Sequence, residues 1–255
     1  KLMADSSVFK EDIFKGKKVF ITGGATGMGL GFAKSFLEHG AEVVIASRKE
    51  ENLILASEEA EKDTGKKLRW KIMDVRDNES VEGVADYIEK EWGHLDILVN
   101  NAAGNFVSPA ASLSENAWRA VVDIVLDGTF RVSKACYPLL RKSKSGASIV
   151  NIIANYAWNA APFVAHSGAA KAGVLNLTRT LALEWASDNI RVNAFCPGVV
   201  LTENVKKNLM LDEKTAKMFE NYILHQFLKD FLYLLSYLLL ISHFLDQYAL
   251  YLKKI

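Results

Sequence analysis

The residues that could do chemistry are a tyrosine, a serine and a lysine between positions 156 and 171. Tyr156 follows an apolar stretch, whereas Ser167 and Lys171 lie one turn apart in a segment predicted to be helical. A phenol has an ordinary pKa of about 10, and a nearby ammonium group lowers that pKa by favouring the phenolate. Tyr156 and Lys171 would therefore form a proton-donating site at the mouth of a cofactor cleft, provided that the tyrosine loop folds back over the helix.

The composition indicates a globular protein and excludes several classes of function. The chain has 255 residues, of which 50% are apolar and 24% charged, which is enough for one domain with a large core. Its net charge of +1 gives no electrostatic reason to expect nucleic acid as a partner. Cys136 and Cys196 are far apart and lack histidines at ligand spacing, so we expect reduced core thiols and no metal site.

A glycine-rich turn follows the first apolar segment. Residues 17–22 are predicted to form a buried parallel strand, and a helix is predicted to run from the turn to about His39. Glycines let the backbone approach a pyrophosphate, and the helix N-terminus supplies amide donors and a positive dipole. The turn therefore predicts a dinucleotide-binding cradle made of Gly23, Gly24, Ala25, Thr26, Gly27, Met28 and Gly29.

The end of the second strand indicates which dinucleotide is bound. NAD enzymes usually have an acidic residue here, which bonds the ribose 2′-hydroxyl. This strand instead ends in Ser47, Arg48 and Lys49. Because a guanidinium pairs well with a 2′-phosphate, Ser47 and Arg48 predict NADPH over NADH, with a solvated basic turn as the alternative.

Apolar and amphipathic segments alternate along the rest of the chain. Strands are predicted at 17–22, 42–47, 68–73, 95–100, 148–153 and 190–195, and helices at 50–64, 78–92, 115–144 with a break at Pro138, and 162–187. The alternation predicts an α/β fold, a single-domain, doubly wound parallel sheet of the Rossmann type in three layers. The last helix has a small-residue face that we expect to pack against another subunit, formed by Gly168, Ala169, Ala172 and Gly173.

The two ends of the chain differ from this middle part. We expect an N-terminal arm at 1–16, the Rossmann domain at 17–204 and an atypical apolar helical tail at 205–255. Residues 231–245 have no charge, but this stretch is shorter than the ~20 residues that a membrane-spanning helix needs. A membrane-surface or buried helix is one interpretation; a tail that is not native to the fold is the one we favour.

The segment before Lys171 resembles the active site of the short-chain dehydrogenase/reductase family, and the glycine turn has that family's Thr-Gly-x-x-x-Gly-x-Gly spacing. The family usually has Tyr-x-x-x-Lys, and here Ser167 stands at the tyrosine position. The early-loop Tyr156 is similar to one branch, the mitochondrial-type 2,4-dienoyl-CoA reductases. That resemblance implies a catalytic set of Tyr156, Lys171, Asn105 and Ser167.

The same resemblance implies further contacts. Cofactor contacts would be Asp74, Val75, Asn101, Lys171, Pro197, Gly198, Val199 and Val200, and substrate contacts would be Arg76, Phe106 and Ser114. Alternatives stay open: Arg76 as a surface arginine, Asn105 as a turn former, and Tyr156 as a packing residue of an inactive site. Three usual catalytic positions differ together, at Val125, Ala154 and Ser167, while the alternative set is intact, which argues for an active enzyme.

The implied function is NADPH-dependent reduction of a fatty 2,4-dienoyl-CoA to a 3-enoyl-CoA in β-oxidation of unsaturated fatty acids. The resemblance also implies a homotetramer and a mitochondrial location, with peroxisome and cytosol as alternatives. The sheet would lack the family's usual last strand. A short-chain carbonyl/alcohol oxidoreductase and an inactive NADP(H)-binding protein remain alternative functions.

Overall fold

The computed structural model describes residues 12–198 and 200. Described residues up to Pro197 belong to one compact unit, and Gly198 and Val200 belong to a second. The predictions for residues 1–11, for Val199 and for the tail at 205–255 lie outside the described residues. At the described start of the chain, residues 12–16 form a turn in which Phe14 packs edge-on against Phe36, with ring centroids 4.8 Å apart.

The sheet has six parallel strands: β1 Lys18–Thr22, β2 Glu42–Ser47, β3 Arg69–Ile72, β4 Ile97–Asn100, β5 Ala147–Ile152 and β6 Ile190–Phe195. Their order is β3-β2-β1-β4-β5-β6, so the chain moves outward from β1 in both directions. This is the doubly wound arrangement that the sequence predicts. Its switch point, between β1 and β4, is where such sheets bind ligands at the carboxyl ends of their strands.

The helices are α1 Gly27–Glu38, α2 Glu50–Thr64, α3 Asn78–Trp92, α4 Glu115–Val122, α5 Gly128–Leu140 and α6 Ala165–Glu184. Local chemistry fixes several ends. α2 and α3 stop at Gly65 and Gly93, whose φ angles of 67° and 70° suit glycine. The Asp77 side chain caps α3 by accepting a bond from the Glu79 amide.

Two apolar cores place the helices on opposite faces of the sheet. One core joins α1 and α2 to β1 and β2 through residues such as Leu37, Leu53 and Ile45. The other joins α3, α5 and α6 to the sheet through residues such as Ile88 and Leu98. The β strands are almost continuously apolar because both of their faces are covered, which gives the three layers.

The predicted break at Pro138 is wrong. Pro138 lies inside α5, which ends at Leu140, and the irregularity is instead a π turn at Asp123–Asp127 between α4 and α5. The start of α5 is fixed by a close approach, since a Cβ on Gly128 would lie 2.8 Å from Val75 Cγ2. A π turn contains one residue more than a turn of α-helix, and here it accommodates that residue between α4 and Gly128. The Val125 side chain in this turn is completely buried.

The small-residue face of α6 divides into two parts. A Cβ on Gly173 would lie 2.9 Å from Leu126 Cδ2 of the same chain, so this glycine is explained by packing within the chain. Ala169 and Ala172 are exposed. A contact with another subunit therefore remains a prediction for those two alanines.

Candidate functional site

The glycine turn has a backbone that other residues could not adopt without rearrangement. Gly23 and Gly27 have φ angles of 63° and 56°. A Cβ on Gly29 would lie 2.3 Å from the Gly23 carbonyl oxygen, and a Cβ on Gly24 would lie 2.5 Å from Ile45 Cγ2. Thr26 precedes α1 without a side-chain cap bond, so the first amides of α1 are available to an anion. The seven predicted cradle residues lie in this turn and in the first turn of α1.

Asn101 holds the cradle from the neighbouring strand. Its Nδ2 donates to the carbonyl oxygens of Thr22 and Gly23, at 3.1 and 3.0 Å. In return, Thr22 Oγ1 accepts the amides of Asn101 and Ala102. Both Nδ2 hydrogens are thus used to shape the turn, and the cofactor contact predicted for Asn101 stays a prediction.

Arg48 lies exposed just after β2, and its guanidinium has no ion-pair partner within residues 12–198. Its charge contributes to lowering the pKa of Asp74, although the main cause is the hydrogen bond from Arg76. An unpaired guanidinium at this strand end fits a 2′-phosphate. Arg48 and the cradle are the residues that could hold the phosphates of a nicotinamide cofactor.

Asp74 and Arg76 pair with each other in the structure. Arg76 Nε donates to Asp74 Oδ1 at 3.0 Å, and Arg76 Nη2 donates to Asp74 Oδ2 at 2.5 Å. The pair fixes the guanidinium just after β3. The cofactor contact of Asp74 and the substrate contact of Arg76 stay predictions. Val75 between them is buried.

Tyr156 reaches α6. Its hydroxyl lies 3.2 Å from Ser167 Oγ, because the 3₁₀ turn at Asn155–Ala157 lies over the N-terminus of α6. The phenol pKa is raised, mainly by burial, and the Ser167 bond opposes that rise. From the sequence we expect a lowered pKa for the Tyr156 phenol, because a nearby lysine would favour the phenolate. The pKa is raised instead, because burial dominates and Lys171 is not among the groups that shift it.

Lys171 is buried on the same face of α6, and its ammonium donates to the Ile152 carbonyl at the end of β5. Burial lowers the pKa of this lysine to about 8. The amine is nevertheless mostly protonated at neutral pH. It is held at the carboxyl end of the sheet, where a cofactor ribose would lie.

Asn105 is oriented by its own backbone. Its Oδ1 accepts the amide of Phe106 at 2.9 Å, which leaves Nδ2 as the donor that points elsewhere. No hydrogen-bond partner for this Nδ2 occurs in the part of the chain that the structure describes. The short local bond is that of a turn former. The remaining donor is compatible with an oxyanion role for Asn105, which stays a prediction.

Two predicted contacts have structural partners already. Ser114 is the N-cap of α4, and its Oγ accepts the Ala117 amide at 3.2 Å. Phe106 is half-buried and packs edge-to-face against His166, with ring centroids 4.5 Å apart. Pro197 is half-buried just after β6. Gly198 and Val200 belong to the second unit, and their predicted cofactor contacts remain predictions.

Two residues near the site, His166 and Cys196, were not predicted from the sequence to lie there. His166 is fully buried beside Ser167, and its ring has a hydrogen bond with the backbone of Val164. Cys196 was predicted to be a core thiol, but it is half-buried and close enough to Tyr156 and Lys171 to affect the pKa of each. Only Cys136 is a core thiol. Neither position is part of a sequence motif, so burial alone identifies them.

Comparison with known proteins finds relatives that are named as 2,4-dienoyl-CoA reductases. A Bacillus subtilis protein named "Probable 2,4-dienoyl-CoA reductase [(2E)-enoyl-CoA-producing]" is 43% identical over 199 residues, covering 78% of each chain. The peroxisomal 2,4-dienoyl-CoA reductase [(3E)-enoyl-CoA-producing] of Pongo abelii is 40% identical over 81% of this chain and 70% of its own length.

A solved structure supports the nucleotide-binding fold. A short-chain dehydrogenase from Shigella flexneri, complexed with NADP, superposes with a TM-score of 0.76 at 25% identity, covering 82% of this chain and 87% of its own. The family model described as short chain dehydrogenase matches residues 17–212. The protein is therefore an oxidoreductase that belongs to the short-chain dehydrogenase family.

Proposed function

We propose that the protein reduces 2,4-dienoyl-CoA thioesters with NADPH, giving 3-enoyl-CoA in the β-oxidation of unsaturated fatty acids. The observation that carries the proposal is the 3.2 Å approach of the Tyr156 hydroxyl to Ser167 Oγ. The family's tyrosine position holds a serine, and a phenol from another segment has taken its place beside that serine. Two relatives named as 2,4-dienoyl-CoA reductases support a substrate of this class, although their names give different products.

The cofactor would be held by the glycine cradle, by Arg48 at the 2′-phosphate and by Lys171 near the nicotinamide ribose. When bound, NADPH supplies a hydride, which adds to Cδ of the conjugated acyl chain. Arg48 supports NADPH over NADH because it is exposed and free of ion pairs among the described residues, and because β2 ends without an acidic residue.

Tyr156 and Asn105 would bind the thioester oxygen, where negative charge collects as Cδ accepts the hydride. The raised phenol pKa suits this role, because a phenol that stays protonated at neutral pH is a hydrogen-bond donor. The Asn105 Nδ2 is the second donor, oriented by the bond from the Phe106 amide to Oδ1. Ser167 positions the phenol by its bond to the hydroxyl.

Protonation of the resulting dienolate sets the product. A proton from water or a nearby acid at Cα gives the 3-enoyl-CoA, whereas a proton at Cγ gives the 2-enoyl-CoA. The names of the relatives include both products, so product identity is a property to be measured. We propose protonation at Cα by water or a nearby acid, because the resemblance to the mitochondrial-type 2,4-dienoyl-CoA reductases implies a 3-enoyl-CoA product.

Reduction of 2,4-hexadienoyl-CoA with 4-deuterated NADPH, followed by NMR of the product, tests the reaction. We expect the deuterium at Cδ and a solvent proton at Cα. A product labelled at a former carbonyl carbon, from a ketone or aldehyde substrate only, would instead show a carbonyl reductase. NADPH binding without turnover of either substrate class would show an inactive binding protein.

Location and assembly are also proposals. The mitochondrial location depends on the branch resemblance, and one relative is named as peroxisomal. No helix within the described ranges is both long and apolar enough to cross a membrane. A homotetramer would use exposed faces such as that of Ala169 and Ala172 on α6.

A further inference from the structure

Two asparagines lie side by side in the interior of the sheet, near the carboxyl ends of β4 and β5. Asn100 and Asn151 are partners in the register of these strands, and both side chains are buried, that of Asn151 completely. Asn100 Nδ2 donates to Asn151 Oδ1 at 2.8 Å and to Ser133 Oγ of α5 at 2.9 Å. Polar contacts therefore join β4, β5 and α5 within a core that is otherwise mainly apolar.

Asn151 also bonds the helix of the candidate site. Its Nδ2 donates to Thr178 Oγ1 of α6 at 2.9 Å, and Thr178 Oγ1 in turn donates to the Val174 carbonyl at 2.7 Å. The buried Thr178 hydroxyl thus acts as an acceptor and as a donor at the same time. The side-chain amide of Asn151 therefore connects β4 on one side with α6 on the other.

Lys171 contacts β5 one residue further along the strand. Its ammonium donates to the carbonyl of Ile152, the residue that follows Asn151. Lys171 and Thr178 are seven residues apart in α6, which is close to two full turns, so both lie on the same face of the helix. One face of α6 is thus bonded to two consecutive residues of β5, and both contacts depend on the rotation of the helix about its axis.

A buried polar network adds little net stability to a core. Each of its hydrogen bonds contributes only about 0.5–1.5 kcal/mol, and apolar groups of the same shape can replace both partners of such a bond with little loss. Apolar contacts have no direction, however, whereas an amide and a hydroxyl bond well only in a narrow range of distances and angles. The bond between Asn151 and Thr178 therefore contributes orientation to the contact of α6 with the sheet.

We propose that Asn151 is a positioning residue for Lys171. By bonding Thr178, it sets the rotation of α6 at which the buried ammonium of Lys171 meets the Ile152 carbonyl, at the carboxyl end of the sheet. This inference rests on the proposed function in one respect, the role of Lys171 at the cofactor ribose. It concerns cofactor binding, so it does not depend on the identity of the acyl substrate.

Substitutions of Thr178 test this link. Thr178→Val keeps the size of the side chain and removes the hydroxyl that accepts the Asn151 amide, whereas Thr178→Ser keeps that hydroxyl. Thr129→Val is the matched control. Thr129 is a buried threonine of α5 whose Oγ1 donates to the Val125 carbonyl at 2.7 Å, which is the same local bond that Thr178 makes to Val174. Both valine variants lose this local bond, but only Thr178→Val leaves the Asn151 amide without its partner on α6.

The assay is calorimetric titration of each variant with NADP⁺, well below its melting temperature. We expect Thr178→Val to raise the dissociation constant roughly threefold to tenfold, and Thr178→Ser and Thr129→Val to leave it unchanged. The same substitution in a Lys171→Met background separates positioning from general damage to the fold. If Thr178 acts through Lys171, Thr178→Val causes no further loss of affinity in that background.

Two results would overturn the proposal. One is an unchanged NADP⁺ affinity in Thr178→Val, which would leave the Asn151–Thr178 bond as a packing feature of the core. The other is an equal fold-loss of affinity in the wild-type and Lys171→Met backgrounds, which would show that Thr178 acts independently of the lysine. Because neither measurement needs turnover, a failure of the reductase proposal remains distinguishable from a failure of this one.

A measurement on the unmodified protein covers the case in which the variants do not fold. The ¹H–¹⁵N NMR spectrum contains the side-chain amide resonances of Asn151, and these can be followed as the pH is raised. Burial lowers the pKa of Lys171 to about 8. If the lysine and the asparagine are coupled through α6, loss of the Lys171 proton should move the Asn151 side-chain resonances with the same midpoint. Resonances that stay constant as the lysine titrates would contradict the proposal.

Discussion

Among single residues, burial decides the protonation state of each group around Tyr156. Burial raises the phenol pKa of Tyr156 and lowers the amine pKa of Lys171 to about 8. At neutral pH the phenol is therefore a hydrogen-bond donor and the lysine is mostly a cation. This combination suits binding of a thioester oxygen and of a cofactor ribose, and it does not require the phenol to ionise.

Arg48 gives a prediction about cofactor choice. Arg48→Gln should weaken NADPH binding by roughly 10- to 100-fold, because a charge-assisted bond to the 2′-phosphate is lost, and it should leave NADH binding unchanged. Titration of each cofactor by fluorescence measures this. Lys67→Gln, an equal change of charge at another exposed residue, is the control. A parallel loss for NADH would show that Arg48 acts only on the fold.

The sequence predicts a set of candidate site residues but not their hydrogen-bond partners. Tyr156, Ser167 and Lys171 were predicted as one site, and the Tyr156–Ser167 contact joins two of them. The pairing of Asp74 with Arg76 and the buried His166 were not predicted. The Asp74–Arg76 pair depends on side-chain rotamers within a local segment. The burial of His166 depends on contacts with a segment sixty residues away, which no local spacing reports.

Secondary-structure elements are predicted well where the local chemistry is strong. Each of the six strands was predicted to within about two residues, because an apolar run bounded by glycine or polar residues is a clear pattern. The π turn at Asp123–Asp127 was missed. Its cause is the close approach of Gly128 to Val75, which is a tertiary contact, whereas Pro138 is a local signal that the surrounding packing overrides.

Two glycines of α1 give a prediction about this element. Gly29→Ala should abolish NADPH binding, because its Cβ would lie 2.3 Å from the Gly23 carbonyl oxygen and the cradle would have to move. Gly31→Ala meets nothing within 4 Å and should raise stability by about 0.5–1 kcal/mol, as expected inside a helix. Calorimetric titration and thermal unfolding measure both. Retained NADPH affinity in Gly29→Ala would contradict the cradle.

The stability of the whole molecule should depend on pH through Lys171. With a folded pKa of about 8 against an ordinary 10.5, the unfolded chain binds more protons between these values. The free energy of unfolding therefore rises as the pH rises through this range. Relative to Lys171→Met, we expect the wild type to gain on the order of 2 kcal/mol between pH 8 and pH 10.

Urea denaturation of the cofactor-free protein at several pH values measures this effect. Lys134→Met, which removes an exposed lysine of α5, should show no pH-dependent difference from the wild type. Parallel curves for the wild type and Lys171→Met would mean that the Lys171 amine keeps an ordinary pKa. In that case its burial beside Ile152 would not influence protonation.

The most direct test of the central claim is NADPH oxidation with 2,4-hexadienoyl-CoA by the wild type and by Tyr156→Phe. The variant keeps the half-buried ring and removes only the hydroxyl that contacts Ser167. We expect turnover to fall by roughly 100- to 1,000-fold while NADPH binding is unchanged, as for loss of one oxyanion donor. Tyr137→Phe, which removes a hydroxyl bonded to Asp188, is the control and should retain activity. Equal turnover by Tyr156→Phe and the wild type would exclude the displaced tyrosine from the reaction.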